Sequence, residues 1–399
     1  MQRFRYVIVG GGQSADAAVK GIRSVDEDGS IALVSAEPHD PYERPPLSKS
    51  LWTGGANEED EVFLDTRDEE GVAFILGTRV TAVDPDAKTV TDSKGDVIGF
   101  DKLLLATGAT PRSLPGVKPS ERVLAYRTID DYHQARALAE EGKRVIVVGG
   151  GFIGSEMAAA LHTVGARVSM VFPESEIGAS RFPQDLARAV GKDYRRRGIE
   201  VHAGRTVAQA RNGTSIVELA LDDGTELSGD LLVMGLGAEP NVGLARELGL
   251  EVAGGIHVDE NLRTAHPDVY ACGDAMAFPH SALKVRRRVE HEDNATASGF
   301  HAGRAMAGVD EPYDHIPFFY SDLFDNGYEA VGDLDASLHT VADWKEPADG
   351  PERKGTVYYM DDERLRGVLL WNTFGKVDEA RELLRKGERV APGEGAGAL

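Results

Sequence analysis

The residues best suited to chemistry lie in the stretch Val145-Ile-Val-Val-Gly-Gly-Gly-Phe-Ile-Gly-Ser-Glu156. An apolar, β-branched run reads as a strand buried on both faces. It breaks into Gly149-x-Gly151-x-x-Gly154 and passes into the helical Ser155-Glu-Met-Ala-Ala-Ala-Leu161. In such a turn the first glycine permits the tight bend and the second admits a pyrophosphate against the backbone. The third lets helix pack on strand, and the free N–H groups and dipole of the helix N-terminus favour the anion. A second strand, Arg167 to Phe172, ends at Pro173-Glu174. That is about 20 residues on, where a carboxylate takes the ribose hydroxyls. Gly149, Gly151, Gly154 and Glu174 are therefore candidates for holding a dinucleotide.

The elements that position this turn occur twice. Arg5-Tyr-Val-Ile-Val9 leads into Gly10-Gly-Gly12-Gln-Ser-Ala15 and a helix over 16–24, and a second strand, Ser30 to Ser35, ends near Glu37. Ala15 replaces the third glycine, which need only be small. Asp40-Pro-Tyr-Glu-Arg-Pro-Pro-Leu-Ser-Lys49 is stiffened by proline and predicts a rigid extended loop with a helix start at Ser48. Arg44 and Lys49 suit it to a cofactor phosphate and a reactive ring. Short strands come next, and Ala106-Thr107-Gly108 forms a second small-residue turn close to the bound dinucleotide, before a proline-marked linker. From about Arg122 the pattern repeats: helix 130–141, the central fingerprint, helix 183–197, β-rich 199–228 and Met234-Gly-Leu-Gly237. Two dinucleotide domains imply two dinucleotides, ordinarily FAD and a nicotinamide cofactor. Gly255–Asp259 and Asp268–Asp274 read as strands returning to the first domain, with Asp274 placed for ribityl hydroxyls. Beyond helix 290–307 come hairpin-like segments and a closing helix over 376–386.

The expected fold is α/β: two Rossmann-like domains, the second inserted in the first, plus a C-terminal α+β domain. The boundaries expected are 1–120 and 245–316 for the FAD domain, 121–244 for the NAD(H) domain, 317–388 for the C-terminal domain, and a disordered tail over 389–399. The chain has 399 residues, a formal net charge of −22 and one cysteine, Cys272. Such acidity argues against nucleic acid and anionic membranes as partners. A lone cysteine excludes an internal disulfide, including a Cys-x-x-Cys redox pair. No signal peptide or membrane-length apolar run is seen, so a cytoplasmic protein is expected. No metal site is expected.

The ordered motifs Gly10-x-Gly12-x-x-Ala15, Glu37, Tyr42-Glu-Arg-Pro-Pro-Leu-Ser-Lys49, Ala106-Thr-Gly108, Gly149-x-Gly151-x-x-Gly154 and Ala271-Cys-Gly-Asp274 resemble the two-dinucleotide flavoprotein reductases. Phe172-Pro-Glu174, Arg286-Arg-Arg-Val-Glu-His291, Phe319-Tyr-Ser-Asp322, Gly327-Tyr-Glu-Ala-Val-Gly332 and Val368-Leu-Leu-Trp-Asn372 look most like the apoptosis-inducing-factor group and its bacterial relatives. The resemblance covers about residues 4–388. It implies FAD contacts by Gly10, Gly12, Ala15, Glu37, Arg44, Lys49, Val80, Arg127, Asp274 and His291. It implies nicotinamide-dinucleotide contacts by Gly151, Phe152, Ile153, Glu156, Glu174, Gly237 and Glu290, with Glu329 as a further candidate. Tyr320 stands where the group has Trp, which alters stacking near the nicotinamide. The long C-terminal insertion and N-terminal anchor of the mitochondrial members are absent from this sequence, so roles in cell death or DNA binding do not transfer.

In such proteins the cofactors carry the chemistry, and the protein stacks, shields and stabilises charge. Lys49 and Glu156 are the expected ion pair beside the isoalloxazine, with His291, at a helix start, near its pyrimidine end. Glu174 favours NADH over NADPH by repelling a 2′-phosphate; Arg181, seven residues on, is a cation that softens this choice. The electrons leave without a redox disulfide, to a one-electron carrier, a quinone or oxygen. Arg286-Arg-Arg288 is either the docking patch for an acidic ferredoxin or a set of FAD-facing or salt-bridged arginines. The alternatives are a ferredoxin or rubredoxin reductase of an oxygenase system, and an NADH-responsive sensor with slow turnover, a charge-transfer complex and NADH-promoted homodimerisation.

Overall fold

The structure is a computed structural model that describes residues 1–54, 59–345, 350–361 and 364–388. Of the acidic, solvent-facing stretch that the sequence suggests over 54–70, residues 54 and 59–70 are described, and the tail over 389–399 lies outside the described residues. The chain forms two compact units: Met1–Glu43, Glu59–Thr110 and Glu239–Pro317 make the first, and Arg44–Glu58, Pro111–Ala238 and Phe318–Leu399 the second.

The first unit is built on a seven-stranded sheet. Strand Gln2–Val9 is central and runs parallel to Ile31–Val34 on one side and Val97–Leu105 on the other; Val72–Ile75 and Val269–Ala271 extend the parallel part. Thr89–Asp92 and Val80–Asp84 complete the sheet in antiparallel pairing. Tyr6, Val7 and Ile8 are buried, as expected for a strand covered on both faces. Helix Gln13–Arg23 crosses helix Glu292–Met306 at backbone contact. A Cβ on Gly299 would lie 2.2 Å from the Ser14 carbonyl oxygen, and one on Gly303 2.2 Å from that of Ala18. Only glycine allows this approach.

The second unit repeats the parallel core in shorter form. Its sheet runs Glu200–Ala203, Arg167–Phe172, Arg144–Val148, Leu231–Met234, Val123–Ala125, all parallel. Helices Phe152–Thr163 and Gln184–Arg197 accompany it. An antiparallel three-stranded sheet, Val207–Asn212, Val217–Leu221 and Glu226–Gly229, lies between them and the last parallel strand in sequence. The same unit holds a five-stranded antiparallel sheet in the order Phe318–Leu323, Asn326–Gly332, Arg364–Trp371, Gly355–Asp361, His339–Trp344, with helix Val377–Lys386. These are the hairpins and closing helix read from the sequence.

One local expectation is corrected. The loop leading to Lys49 is not extended: Pro45–Ser48 is a 3₁₀ turn, and a short helix, Ser50–Thr53, begins two residues after Ser48. Both prolines occupy the first turn positions, where a missing N–H costs nothing. In the acidic stretch over 59–70 most residues are exposed, and Val62 and Thr66 are buried. Thr66 is fully buried and donates to Asp16 Oδ1 at 2.7 Å.

Candidate active site

Each unit carries one glycine cradle, and the two share a design. In the first unit a Cβ on Gly10, at φ +137°, would sit 2.0 Å from the Ala106 carbonyl oxygen. In the second, a Cβ on Gly149, at φ +122°, would sit 2.3 Å from that of Gly235. The middle glycines differ: a Cβ on Gly12 or Gly151 would meet nothing within 4 Å. The first glycine of each turn is therefore forced by the fold, and the second faces open space at a helix N-terminus. Neither Gly12 nor Gly151, as N-cap, supplies a side-chain bond to the helix it starts. Those free N–H groups fit a diphosphate. A Cβ on Gly154 would collide with the Gly149 carbonyl oxygen at 2.0 Å, whereas the first cradle accommodates Ala15 fully buried.

Around the first cradle, Tyr42 donates its hydroxyl to Glu37 Oε2 at 2.5 Å and holds that carboxylate beyond strand Ile31–Val34. The Ala106-Thr107-Gly108 turn is fastened to Asn241. Thr107 Oγ1 donates to the Asn241 carbonyl at 2.6 Å, and Asn241 Nδ2 donates back to the Thr107 carbonyl at 2.8 Å. Val80 is buried. Asp274 lies in the 3₁₀ turn Gly273–Ala275, and His291 is the N-cap of helix Glu292–Met306 without a side-chain capping bond. Glu290 pairs with Arg288. Arg286 donates to the Val258 and Ala277 carbonyls at 2.6 and 2.8 Å, and Arg288 also reaches the Asp274 carbonyl at 3.4 Å. Arg286 and Arg288 thus bond to carbonyls and a carboxylate of the first unit.

In the second unit Lys49, Glu156 and Tyr320, far apart in sequence, converge. Lys49 Nζ is 2.6 Å from Glu156 Oε2, with side chains 13% and 3% exposed. Ser48 donates to Oε2 and Ser321 to Oε1, each at 2.6 Å. A carboxylate stripped of water is thus met on both oxygens, which such burial requires. Lys49 Nζ also lies 5.3 Å from the Tyr320 ring centroid. Phe152, at the start of helix Phe152–Thr163, carries the Arg181 guanidinium 4.2 Å above its ring, with Phe319 edge-on at 5.7 Å. Ile153 beside it is exposed. Arg44 donates to the Arg127 carbonyl at 3.0 Å, Gly237 faces open space at φ +78°, and Glu329 accepts from the Gly375 amide at 3.1 Å. Glu174 is exposed beyond strand Arg167–Phe172. Sequence reasoning missed Ser48, Ser321 and Asn241 as partners. Both serines stood inside quoted motifs, but nothing local says that a serine faces a buried carboxylate.

Residues 4–299 match the sequence profile of the pyridine nucleotide-disulphide oxidoreductases. The chain belongs to that family. It is an enzyme family that works with FAD and NAD(H). Residues 302–353 and 345–386 match the C-terminal domain of mitochondrion-associated apoptosis-inducing factor. Apoptosis-inducing factor 1 of Dictyostelium discoideum is 34% identical over 97% of this chain and 79% of its own length. The ferredoxin–NAD(+) reductase component of the anthranilate 1,2-dioxygenase system of Burkholderia cepacia is 32% identical over 97% and 95%. A crystal structure of a ferredoxin reductase from Rhodopseudomonas palustris superposes with a TM-score of 0.87 at 29% identity, covering 98% of this chain and 97% of that one. The fold class expected from the sequence is thereby established. The oxidoreductase departs from its family's name in having a single cysteine. Cys272 is buried, and burial pushes its thiol up to about 12, so it is inert as a nucleophile. Among the described residues no cluster of three or more His, Cys, Asp or Glu could hold a metal ion, and no helix is long and apolar enough to cross a membrane.

Proposed function

We propose that the protein is an NADH-oxidising flavoenzyme that hands electrons directly to an external acceptor, without a redox disulfide. The observation that carries this reading is the pair of open glycine cradles, at Gly12 and Gly151, in a chain with only one cysteine. When bound, the flavin takes two electrons from the nicotinamide and releases them to the acceptor.

The protein's part is to bind, orient and balance charge. Gly10, Gly12, Ala15, Glu37, Val80, Ala106, Thr107, Gly108 and Asp274 would hold FAD, with Arg44, Lys49, Arg127 and His291 as further candidate contacts. Gly149, Gly151, Phe152, Ile153, Gly154, Glu174 and Gly237 would hold the nicotinamide cofactor, with Glu290, Tyr320 and Glu329 as further contacts. The Lys49 ammonium stabilises negative charge beside it, and Glu156 balances that ammonium before the charge arrives. The two serines fix the Glu156 carboxylate so that the pair does not reorganise. The acidic surface and the internally bonded Arg286 and Arg288 favour a small acceptor, such as a quinone or oxygen, over an acidic iron–sulfur protein.

Anaerobic rapid mixing with NADH and then NADPH tests the reading: NADH should bleach the flavin absorbance quickly. No bleaching by either cofactor would remove the oxidoreductase assignment. Glu174→Ala should raise the KM for NADH roughly tenfold, as expected for lost hydrogen bonds to a charged group, and narrow the gap to NADPH. An unchanged NADH/NADPH ratio would move the ribose site elsewhere. A second reading, an NADH-responsive sensor, is favoured by the match of residues 302–386 to the apoptosis-inducing-factor C-terminal domain. A long-wavelength band that survives in air, with NADH-dependent dimerisation, would select it.

A further inference from the structure

The hairpin that joins strands Phe318–Leu323 and Asn326–Gly332 turns on two residues, Phe324 and Asp325, since Leu323 and Asn326 still pair. Of the two, only Phe324 has a positive φ, +61°. That pattern belongs to the type II′ turn, whose first position ordinarily goes to glycine. A bulky residue in this backbone region is strained, and such strain persists only where the surroundings over-determine it. Here they do. The Phe324 ring has the Arg197 guanidinium 4.2 Å from its centroid, the Tyr194 ring edge-on at 5.0 Å and the His162 ring edge-on at 5.8 Å. Arg197 is itself fixed, donating from Nε to Asp193 at 2.8 Å and from Nη2 to Asp325, the other residue of the turn, at 2.6 Å.

The turn is thus held to helix Gln184–Arg197 by Tyr194 and Arg197, and to helix Phe152–Thr163 by His162. Tyr194 joins the two helices, donating its hydroxyl to the Ser155 carbonyl at 3.0 Å. Helix Phe152–Thr163 also carries Glu156, and the strand that enters the turn reaches Glu156 through Ser321, whose hydroxyl donates to Oε1 at 2.6 Å. The two attachments match in span. From Glu156 to His162 the helix advances about 9 Å, and from Ser321 to Phe324 the strand advances about 10 Å. Strand and helix therefore run alongside each other, tied at one end by the Ser321–Glu156 bond and at the other by the Phe324 ring.

We propose that Phe324 is a positioning residue for the reaction: its ring fixes the hairpin tip against the helix and so holds Ser321 in place to bond Glu156, the partner of Lys49. The proposal rests on the reading above, in which the Lys49–Glu156 pair balances charge at the site. Phe324 touches no reacting atom. Glycine would make the same turn at less backbone cost but would leave the hairpin tip without a ring to anchor it. The Ser321 bond disperses charge on one oxygen of the Glu156 carboxylate. Without it the carboxylate draws harder on Lys49, and the ammonium offers less to negative charge on the reduced flavin.

Four forms of the holoenzyme test this: wild type, Phe324→Gly, Ser321→Ala and the double variant. Glycine suits the turn, so Phe324→Gly keeps the hairpin. Bleaching by NADH should slow about tenfold in each single variant, the low end for one lost hydrogen bond to a charged group, because Ser48 still serves the other oxygen. The flavin midpoint potential should fall by about 30 mV, the two-electron equivalent of tenfold. The deciding protein is the double variant. It should match Ser321→Ala in rate and potential, since Phe324 acts through Ser321. A readout that needs no turnover is the melting temperature, where the loss in the double variant should be smaller than the two single losses added together. Independent, additive effects in the double variant would overturn the proposal. So would a Phe324→Gly protein that melts earlier while its rate and potential stay at the wild-type values, which would make the ring a packing group alone. Wild type that NADH does not bleach overturns the proposed function instead, while the coupling in melting temperature is read separately, so the two failures are distinct.

Discussion

Gly151→Val should give a folded, yellow protein that NADH no longer bleaches. The prediction rests on the surroundings of the second glycine. Its φ of −79° and ψ of −162° suit any L-residue, and a Cβ there meets nothing within 4 Å, so folding gains no clash. The added isopropyl group would stand where the diphosphate must reach the N-terminal N–H groups of helix Phe152–Thr163. Overpacking of about 1–3 kcal/mol plus lost phosphate bonds predicts a Kd for NAD⁺ or ADP-ribose weaker by about a hundredfold or more. Gly12→Val makes the complementary change and should yield apoprotein, because φ −97° and ψ −170° are equally permissive and the same open space lies at the other cradle. Titration calorimetry and the flavin content of the purified variants separate the two. If Gly151→Val lost FAD while keeping NADH binding, the assignment of the cradles would be reversed.

Lys49→Met should have the second large effect, on both stability and rate. The substitution strands Glu156, which is 3% exposed, with two serine hydroxyls and no cation. Breaking one partner of a buried pair costs about 3–5 kcal/mol, and the serine bonds place this case toward the lower value. Loss of a preorganised cation beside developing charge should slow bleaching by NADH on the order of a hundredfold. The double variant Lys49→Met with Glu156→Gln separates these effects. It should regain most of the melting temperature, because no unpaired charge remains, and regain none of the rate. If the rate returned with stability, the pair would be structural alone.

The local logic of both cradles was legible in the sequence because it depends on residues close together in the chain. Apolar β-branched runs at Tyr6–Val9 and Val145–Val148 cannot be exposed, and glycine at 10 and 149 tolerates a backbone other residues resist. The doubling of strand, turn and helix predicted the two parallel cores, and the alternating segments after 317 predicted the antiparallel hairpins. The 3₁₀ turn at Pro45–Ser48 is hard to tell from an extended loop because proline forbids a helix interior but favours a helix start. The packing of Leu47 and Trp52, both buried, settles it, and that packing is not local to the prolines.

Tertiary structure alone decided the surroundings of the functional groups. A sequence can name Lys49 and Glu156 as a pair, but not that Ser48 and Ser321 close both carboxylate oxygens, since those partners lie 108 and 165 residues from Glu156. The carbonyls that Arg286 and Arg288 reach, those of Val258, Ala277 and Asp274, likewise came to rest there only on folding. Chain-local sterics set the elements. Burial, and the long-range bonds that make burial of charge tolerable, set the site, and these exist only once the strands are packed.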